Sequence, residues 1–120
     1  MSSRERTKTI LVASRDPALT IARKHALEAA GYHVIAVKNL AQVARNCQTH
    51  EIDLVLIGSS LAPSEKRRFW AESRKSCRTP ILELFSGAPP ELMDESRTYV
   101  HRSRTPADFI EAVQAILSKN

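Results

Sequence analysis

The feature that most constrains this chain is a short apolar run, residues 52–57, in which only Asp53 is polar. The run is far shorter than the roughly 20 apolar residues that cross a bilayer. A short apolar segment bounded by turn-forming residues is typical of a strand buried on both faces of a parallel sheet. Gly58, Ser59 and Ser60 follow it. In open α/β sheets, ligands and reactive groups collect where such strands end, so this point is the first place to look for a site.

Strands and helices alternate along the rest of the chain. Asp16 and Pro17 begin one helix as N-cap and first helical residue, and Asn39 with Gln42 begins another. Thr105, followed by Pro106 and an acid at position 108, predicts the start of the last helix. This alternation predicts an α/β fold with helices on both faces of a parallel sheet. We expect a flavodoxin-like strand order, 2-1-3-4-5. The predicted strands are Thr9–Ala13, His33–Val37, residues 52–57, residues 81–85 and Thr98–Arg102, and the predicted helices follow Pro17, span 40–48 and 65–77, and follow Thr105.

Length and composition indicate a single globular domain. The chain has 120 residues, 42% of them hydrophobic, and we expect a flexible lead-in at 1–8 followed by one domain at 9–120. The first eight residues are polar and charged, which is unlike a signal peptide, and no apolar run is long enough to span a membrane. Cys47 and Cys77 have no metal-ligand spacing and are expected to be reduced, unreactive thiols in a cytoplasmic protein. The scattered histidines show no metal-ligand spacing either, so no metal or cofactor is expected.

Four segments of the chain resemble the response-regulator receiver domain. ILVASRDP resembles the first strand and acidic turn of that family, and DLVLIGSSLA resembles its third strand and phosphorylation loop. TPILELFS resembles the fourth strand, and YVHRSRTPADF resembles the fifth strand and the start of the last helix. The segments occur in the order and near the spacing of the family. The resemblance implies the flavodoxin-like fold and a place in two-component, phosphorelay-type signalling.

The resemblance also shows that the reactive positions of the family are changed. A carboxylate nucleophile is expected where this chain has Gly58, and the acidic pair that holds Mg²⁺ falls on Ser14 and Arg15. The hydroxyl and lysine that bind the phosphoryl oxygens fall on Phe85 and Arg102. Glycine cannot form an acyl phosphate. We therefore expect no phosphorylation, no enzyme activity and a vestigial pocket consisting of Ser14, Arg15, Asp16, Gly58, Ser59, Phe85 and Arg102, in which Asp16 serves only as a helix cap.

The segment between the fourth and fifth strands is shorter than in the family. Gly87–Arg97 contains two consecutive prolines and leaves room for one or two helical turns, so the fourth helix of the family is expected to be shortened. Glu83 would then be tolerated under a thin cover, or paired with an arginine such as Arg102. The gap allows two interpretations of Trp70, which either folds over it or joins an exposed interface patch. That patch would consist of Phe69, Trp70, Leu92 and Met93.

Charge leaves an alternative function open. Lys and Arg number 18 against 13 Asp and Glu, a formal net charge of +5, and the third predicted helix is strongly basic. The leading prediction is a stand-alone pseudo-receiver that acts by protein–protein interaction, with an unidentified signalling protein or with itself as partner. The alternative is a basic module that binds anions or nucleic acid. Arg15, Arg102 and the serines at 14, 59 and 60 would form its anion pocket.

Overall fold

A computed structural model of the chain describes residues 6–118. Strands and helices alternate throughout this part of the chain. The elements are β1 (Thr9–Ala13), α1 (Pro17–Ala29), β2 (His33–Val37), α2 (Leu40–Thr49), β3 (Leu54–Ile57), α3 (Pro63–Ser76), β4 (Ile81–Phe85), β5 (Thr98–Arg102) and α4 (Ile110–Ser118).

The five strands form one parallel sheet in the order β2-β1-β3-β4-β5, which confirms the predicted flavodoxin-like architecture. One face of the sheet packs against residues of α1 and α4, including Leu27 and Phe109. The other face packs against residues of α2 and α3, including Val43 and Phe69. Because both faces are covered, every residue of the central strands β1, β3 and β4 is buried.

The first two helices begin where the sequence predicts. The side chain of Asp16 accepts a hydrogen bond from the backbone N–H of Leu19, and Asn39 caps α2 in the same way. The predicted start of the last helix at residues 105–108 is wrong, because α4 begins at Ile110. The carboxylate of Asp108 instead accepts hydrogen bonds from the backbone N–H groups at 104 and 105, at 2.7 and 3.2 Å. These bonds close a turn that delays the helix.

The helix that receivers place between the fourth and fifth strands is reduced here to turns and bends over residues 86–97. The predicted shortening is therefore complete within this described segment. Glu83 is fully buried in β4 and fixes the position of this connecting segment. Its carboxylate accepts hydrogen bonds from the backbone N–H groups of Glu91 and Leu92, at 2.9 and 2.7 Å, and ties the connection to the sheet.

Cys47 and Cys77 form a disulfide, so the prediction of two reduced thiols is wrong. Cys47 lies in the last turns of α2 and Cys77 caps α3. Because the two helices lie side by side on one face of the sheet, the two Cα atoms come within 5.1 Å, inside the usual range for a disulfide. The two cysteines are thirty residues apart in the sequence, so no local pattern predicts that they are close together.

The predicted lead-in is only partly described. Residues 1–5 lie outside the described part of the chain. Arg6 is held by two carboxylates, with Nη2 at 2.7 Å from Asp53 and Nε at 3.0 Å from Glu51. Within residues 6–118, no helix combines the length and the apolar character needed to cross a membrane.

Candidate functional site at the carboxyl edge of the sheet

Gly58 directly follows β3 at a point where a side chain would be tightly packed. Its backbone N–H donates a 2.8 Å hydrogen bond to the carbonyl oxygen of Ala13, which holds the end of β3 against β1. A Cβ atom at position 58 would lie 3.0 Å from that carbonyl oxygen and 3.0 Å from Nη1 of Arg23. It would also lie 3.4 Å from Cβ of Ser14. The position that the sequence resemblance assigns to the receiver nucleophile is therefore tightly enclosed by backbone and by a guanidinium.

Arg23 reaches this position from α1 and is fully buried. Its Nη2 donates a 2.9 Å hydrogen bond to Oγ of Ser59, whereas Nε and Nη1 have no hydrogen-bond partner within the described residues. Burial lowers the pKa of Arg23, and the nearby carboxylates of Asp108 and Asp16 oppose that shift. A buried guanidinium with unsatisfied N–H groups is rare and costly in a folded protein.

Sequence reasoning missed Arg23 because only apolar residues were assigned to the buried face of α1. A signal was present, because Arg23 lies four residues after Leu19 and four before Leu27, on the same stripe of the helix. The long arginine side chain can follow that stripe and carry its charged end to the edge of the sheet.

Two residues that follow β1 have different surroundings, one beside Gly58 and the other at the surface. Ser14 is buried, and its Oγ lies 3.3 Å from Oγ of Ser60. Arg15 turns away, with Nη2 and Nε at 2.7 and 2.8 Å from the carboxylate of Glu65. The backbone N–H of Ala62 and the guanidinium of Arg15 lower the pKa of Glu65, against a smaller opposing effect of burial. Arg15 thus completes an ion pair with α3 and does not serve as a free cation in the pocket.

Phe85 and Arg102 lie at the ends of adjacent strands. The guanidinium carbon of Arg102 lies 5.2 Å from the centroid of the Phe85 ring, a cation–π contact. Of the seven residues predicted to form the vestigial pocket, the structure brings Ser14, Gly58 and Ser59 together around Arg23. Asp16 caps α1, as predicted. Arg15 and Arg102 are both engaged in other contacts, so the predicted pair of pocket cations is not formed.

The groups at this edge do not fit the magnesium ion that receiver chemistry requires. Mg²⁺ prefers carboxylate and other hard oxygen ligands in octahedral geometry. The residues that surround Gly58 supply a carbonyl oxygen, a serine side chain and a cationic guanidinium. Among residues 6–118 there is also no cluster of three or more His, Cys, Asp or Glu side chains with the geometry of a metal site. A fixed positive charge already occupies the space.

A buried ion pair lies on the face of the sheet opposite to Arg23. Nζ of Lys66, in α3, donates to the carboxylate of Glu83 at 2.7 Å and to the carbonyl oxygen of Leu84 at 3.0 Å. The ammonium-bearing side chain is 7% exposed and the carboxylate-bearing one 0%. Of the two alternatives for Glu83, the pairing with an arginine such as Arg102 is wrong, because Lys66 of α3 supplies the cation.

The predicted interface patch is largely buried. Phe69 and Leu92 belong to the core, with 3% and 0% exposure, so the prediction that they form an exposed patch is wrong. Trp70 is half-buried, and its Nε1 donates a 2.9 Å hydrogen bond to Oγ1 of Thr98 at the start of β5. This contact supports the interpretation in which Trp70 covers the gap left by the missing helix. Met93 remains exposed, at 57%.

The fold is similar to that of several solved structures. No protein-family model matches the chain, and no curated protein matches it. A response regulator receiver protein from Sinorhizobium medicae superposes with a TM-score of 0.76 at 23% identity, covering 93% of this chain and 95% of that one. A CheY-like receiver domain protein from Methanospirillum hungatei gives 0.75 at 19% identity, with coverage of 95% and 96%. A response regulator from Thermotoga maritima gives 0.70 at 22% identity, with coverage of 94% and 99%. The chain has the fold of response-regulator receiver domains along nearly its whole length.

Proposed function

We propose that this chain is a pseudo-receiver, a signalling module of the two-component type that acts through protein–protein contact and not through aspartyl phosphorylation. The observation that carries the proposal is the pairing of Gly58 with Arg23. The first removes the nucleophile, and the second fills the remaining space with a cation whose Nη1 lies 3.0 Å from where a Cβ would be. Phosphoryl transfer to a receiver needs a carboxylate nucleophile and a divalent ion at this point.

The same arrangement explains how such a module would signal. In a phosphorylated receiver, the charge at the carboxyl edge changes when the phosphoryl group arrives. Here the charge of Arg23 is fixed and buried, so the site itself offers no covalent switch. Any change of state must come from a partner that binds one conformation more tightly than another. We propose that the partner is another signalling protein or a second copy of this chain.

Phosphorylation is tested by incubating the protein with a small phosphodonor and Mg²⁺ and measuring its intact mass. A receiver that retains its aspartate serves as the positive control and gains the mass of one phosphoryl group. We expect no change for this chain, and the same result for Gly58→Ala. An acid-labile adduct on the unmodified protein would refute the proposal.

The nucleic-acid alternative receives less support from the charges of α3. Arg67 lies 3.1 Å from Glu91 and 3.8 Å from Glu95, and Lys66 is buried against Glu83. These contacts neutralise part of the basic surface that the sequence shows. We therefore expect weak retention on heparin that changes little when Arg67 is replaced by Glu. Strong, salt-dependent retention that this substitution abolishes would favour the alternative.

A further inference from the structure

An open cavity lies beside the candidate site, at the carboxyl ends of β1 and β2. Its volume is about 340 Å³, which falls within the usual range of small-molecule sites. The first turns of α1 form one wall, and residues 36–38 at the end of β2 form the other. Ser14 lines the cavity and also lies against the Gly58 position, so the cavity adjoins the point where open α/β sheets bind ligands.

The wall contributed by α1 includes an apolar side chain that faces solvent. Ile21 is 58% exposed, which makes it the most exposed large aliphatic side chain among the described residues. It lines the cavity together with Pro17 and, from β2, Val37. The fold gains little from an isoleucine at a position that the core does not cover. A ligand with an apolar body would bury this side chain and remove its surface from water.

The charge at the rim is positive. Lys38 follows β2 and lines the cavity, and within the described residues it forms no ion pair. Arg15 also lines the cavity, but its guanidinium is paired with Glu65. Asp16, which follows Arg15 in the sequence, accepts a hydrogen bond from the backbone N–H of Leu19 as the helix cap. Lys38 is therefore the cation that this cavity presents to a bound anion.

We propose that this cavity binds a small amphiphilic anion, with an apolar body against Ile21 and Pro17 and an anionic group, carboxylate or phosphate, beside Lys38. The apolar surface and the single available cation together select this class over neutral apolar molecules and over inorganic anions. The inference does not depend on the phosphorylation state of the chain, because none of its contacts involves the Gly58 position directly.

The test is a titration of isotope-labelled protein followed by amide chemical shifts. The probes are benzoate and phenyl phosphate, with benzyl alcohol as the neutral isostere and inorganic phosphate as the anion without an apolar body. We expect both aromatic anions to bind about tenfold more tightly than either control, a difference set by combining one charge contact with apolar burial. The shifts should be confined to residues 14–21 and 36–38. The ratio between benzoate and phenyl phosphate decides which anionic group the site prefers.

Two variants and a matched control locate the contacts. Lys38→Gln should reduce the affinity for the aromatic anions to that for benzyl alcohol, and Ile21→Ser should weaken all aromatic probes. Both side chains are exposed, so the fold should be retained, and the amide spectrum reports it directly. Lys75→Gln, at an exposed lysine on α3, should change nothing. Equal binding of benzyl alcohol and benzoate, shifts centred elsewhere, or no saturable shift up to about 10 mM would overturn the proposal.

Discussion

The buried pair of Lys66 and Glu83 supports a direct prediction about stability. Glu83 has no exposed surface, and it accepts three hydrogen bonds, from Nζ of Lys66 and from the backbone N–H groups of Glu91 and Leu92. Replacing it with leucine strands the ammonium of Lys66 in the core and leaves two loop donors unpaired. Removing one member of a buried ion pair typically costs about 3–5 kcal/mol, and the lost loop contacts place Glu83→Leu at the upper end of that range.

Replacing the lysine of the pair should lower the free energy of unfolding by a smaller amount. In Lys66→Met the carboxylate of Glu83 keeps its two backbone donors, so we expect a loss of about 2–4 kcal/mol. In the double variant neither charge remains, and methionine and leucine fill about the same volume as the lysine and glutamate that they replace. Its loss should be about 1–3 kcal/mol, from the unpaired groups of the loop and of the Leu84 carbonyl. The two substitutions should therefore be strongly non-additive, with a coupling free energy of about 2 kcal/mol or more.

Chemical denaturation of the four proteins, wild type, both single variants and the double variant, measures this coupling. Glu83→Gln is a milder companion, because its side-chain oxygen still accepts from the loop, and it keeps the cycle measurable if Glu83→Leu does not fold. Losses below about 1 kcal/mol for both single variants would show that the pair does not stabilise the fold. Additivity within about 0.5 kcal/mol would show that the two side chains act independently.

Three further predictions concern other elements. Reduction of the Cys47–Cys77 disulfide, or the double serine variant, should lower the free energy of unfolding by roughly 3–4 kcal/mol, judged from the thirty-residue separation and measured by denaturation with and without reductant. Gly58→Ala should cost about 1–3 kcal/mol by overpacking, and Arg23→Met should relieve part of that cost, because Nη1 is one of the two closest atoms to the new Cβ. Burial tends to raise the pKa of Asp108, but hydrogen bonds from backbone N–H groups outweigh it and hold the pKa below its ordinary value. Its contribution to stability is therefore present above the unfolded-state pKa and is lost as the pH falls below about 4, so Asp108→Asn should flatten the acid side of a stability–pH profile.

The strands and the strand order followed from the sequence because their signals are local. Apolar runs such as residues 54–57 can be satisfied only by burial on both faces, and parallel connections admit few topologies. The helix caps Asp16 and Asn39 could also be predicted from the sequence, since each side chain accepts a hydrogen bond from a backbone N–H three residues later. The same motif at residues 105–108 predicted a helix too early. There the acid bound two backbone donors and stabilised a turn, an outcome that local sequence cannot separate from a capped helix.

The site was harder to predict because long side chains and distant segments form it. Arg23 and Lys66 each lie on a helix, and their charged groups reach Ser59 in the turn after β3 and Glu83 in β4. These partners are too far away in sequence to give a periodic signal. Sequence patterns assign such residues to solvent by default. The disulfide was missed for the same reason, since only the packing of α2 against α3 brings its two cysteines together.

The two buried cations connect the changed chemistry to the changed shape. On one face of the sheet, the guanidinium of Arg23 lies where a side chain at position 58 would crowd it. The glycine therefore leaves the space that the guanidinium occupies. On the other face, Glu83 would be costly in the core without Lys66, and their pair holds the loop that stands where receivers have a helix. Restoring an aspartate at position 58 alone would set a carboxylate against a crowded guanidinium and would supply no metal ligands around it. If the proposed pseudo-receiver function is right, the packing around Gly58 and Arg23 predicts that Gly58→Asp alone will not make the protein phosphorylatable.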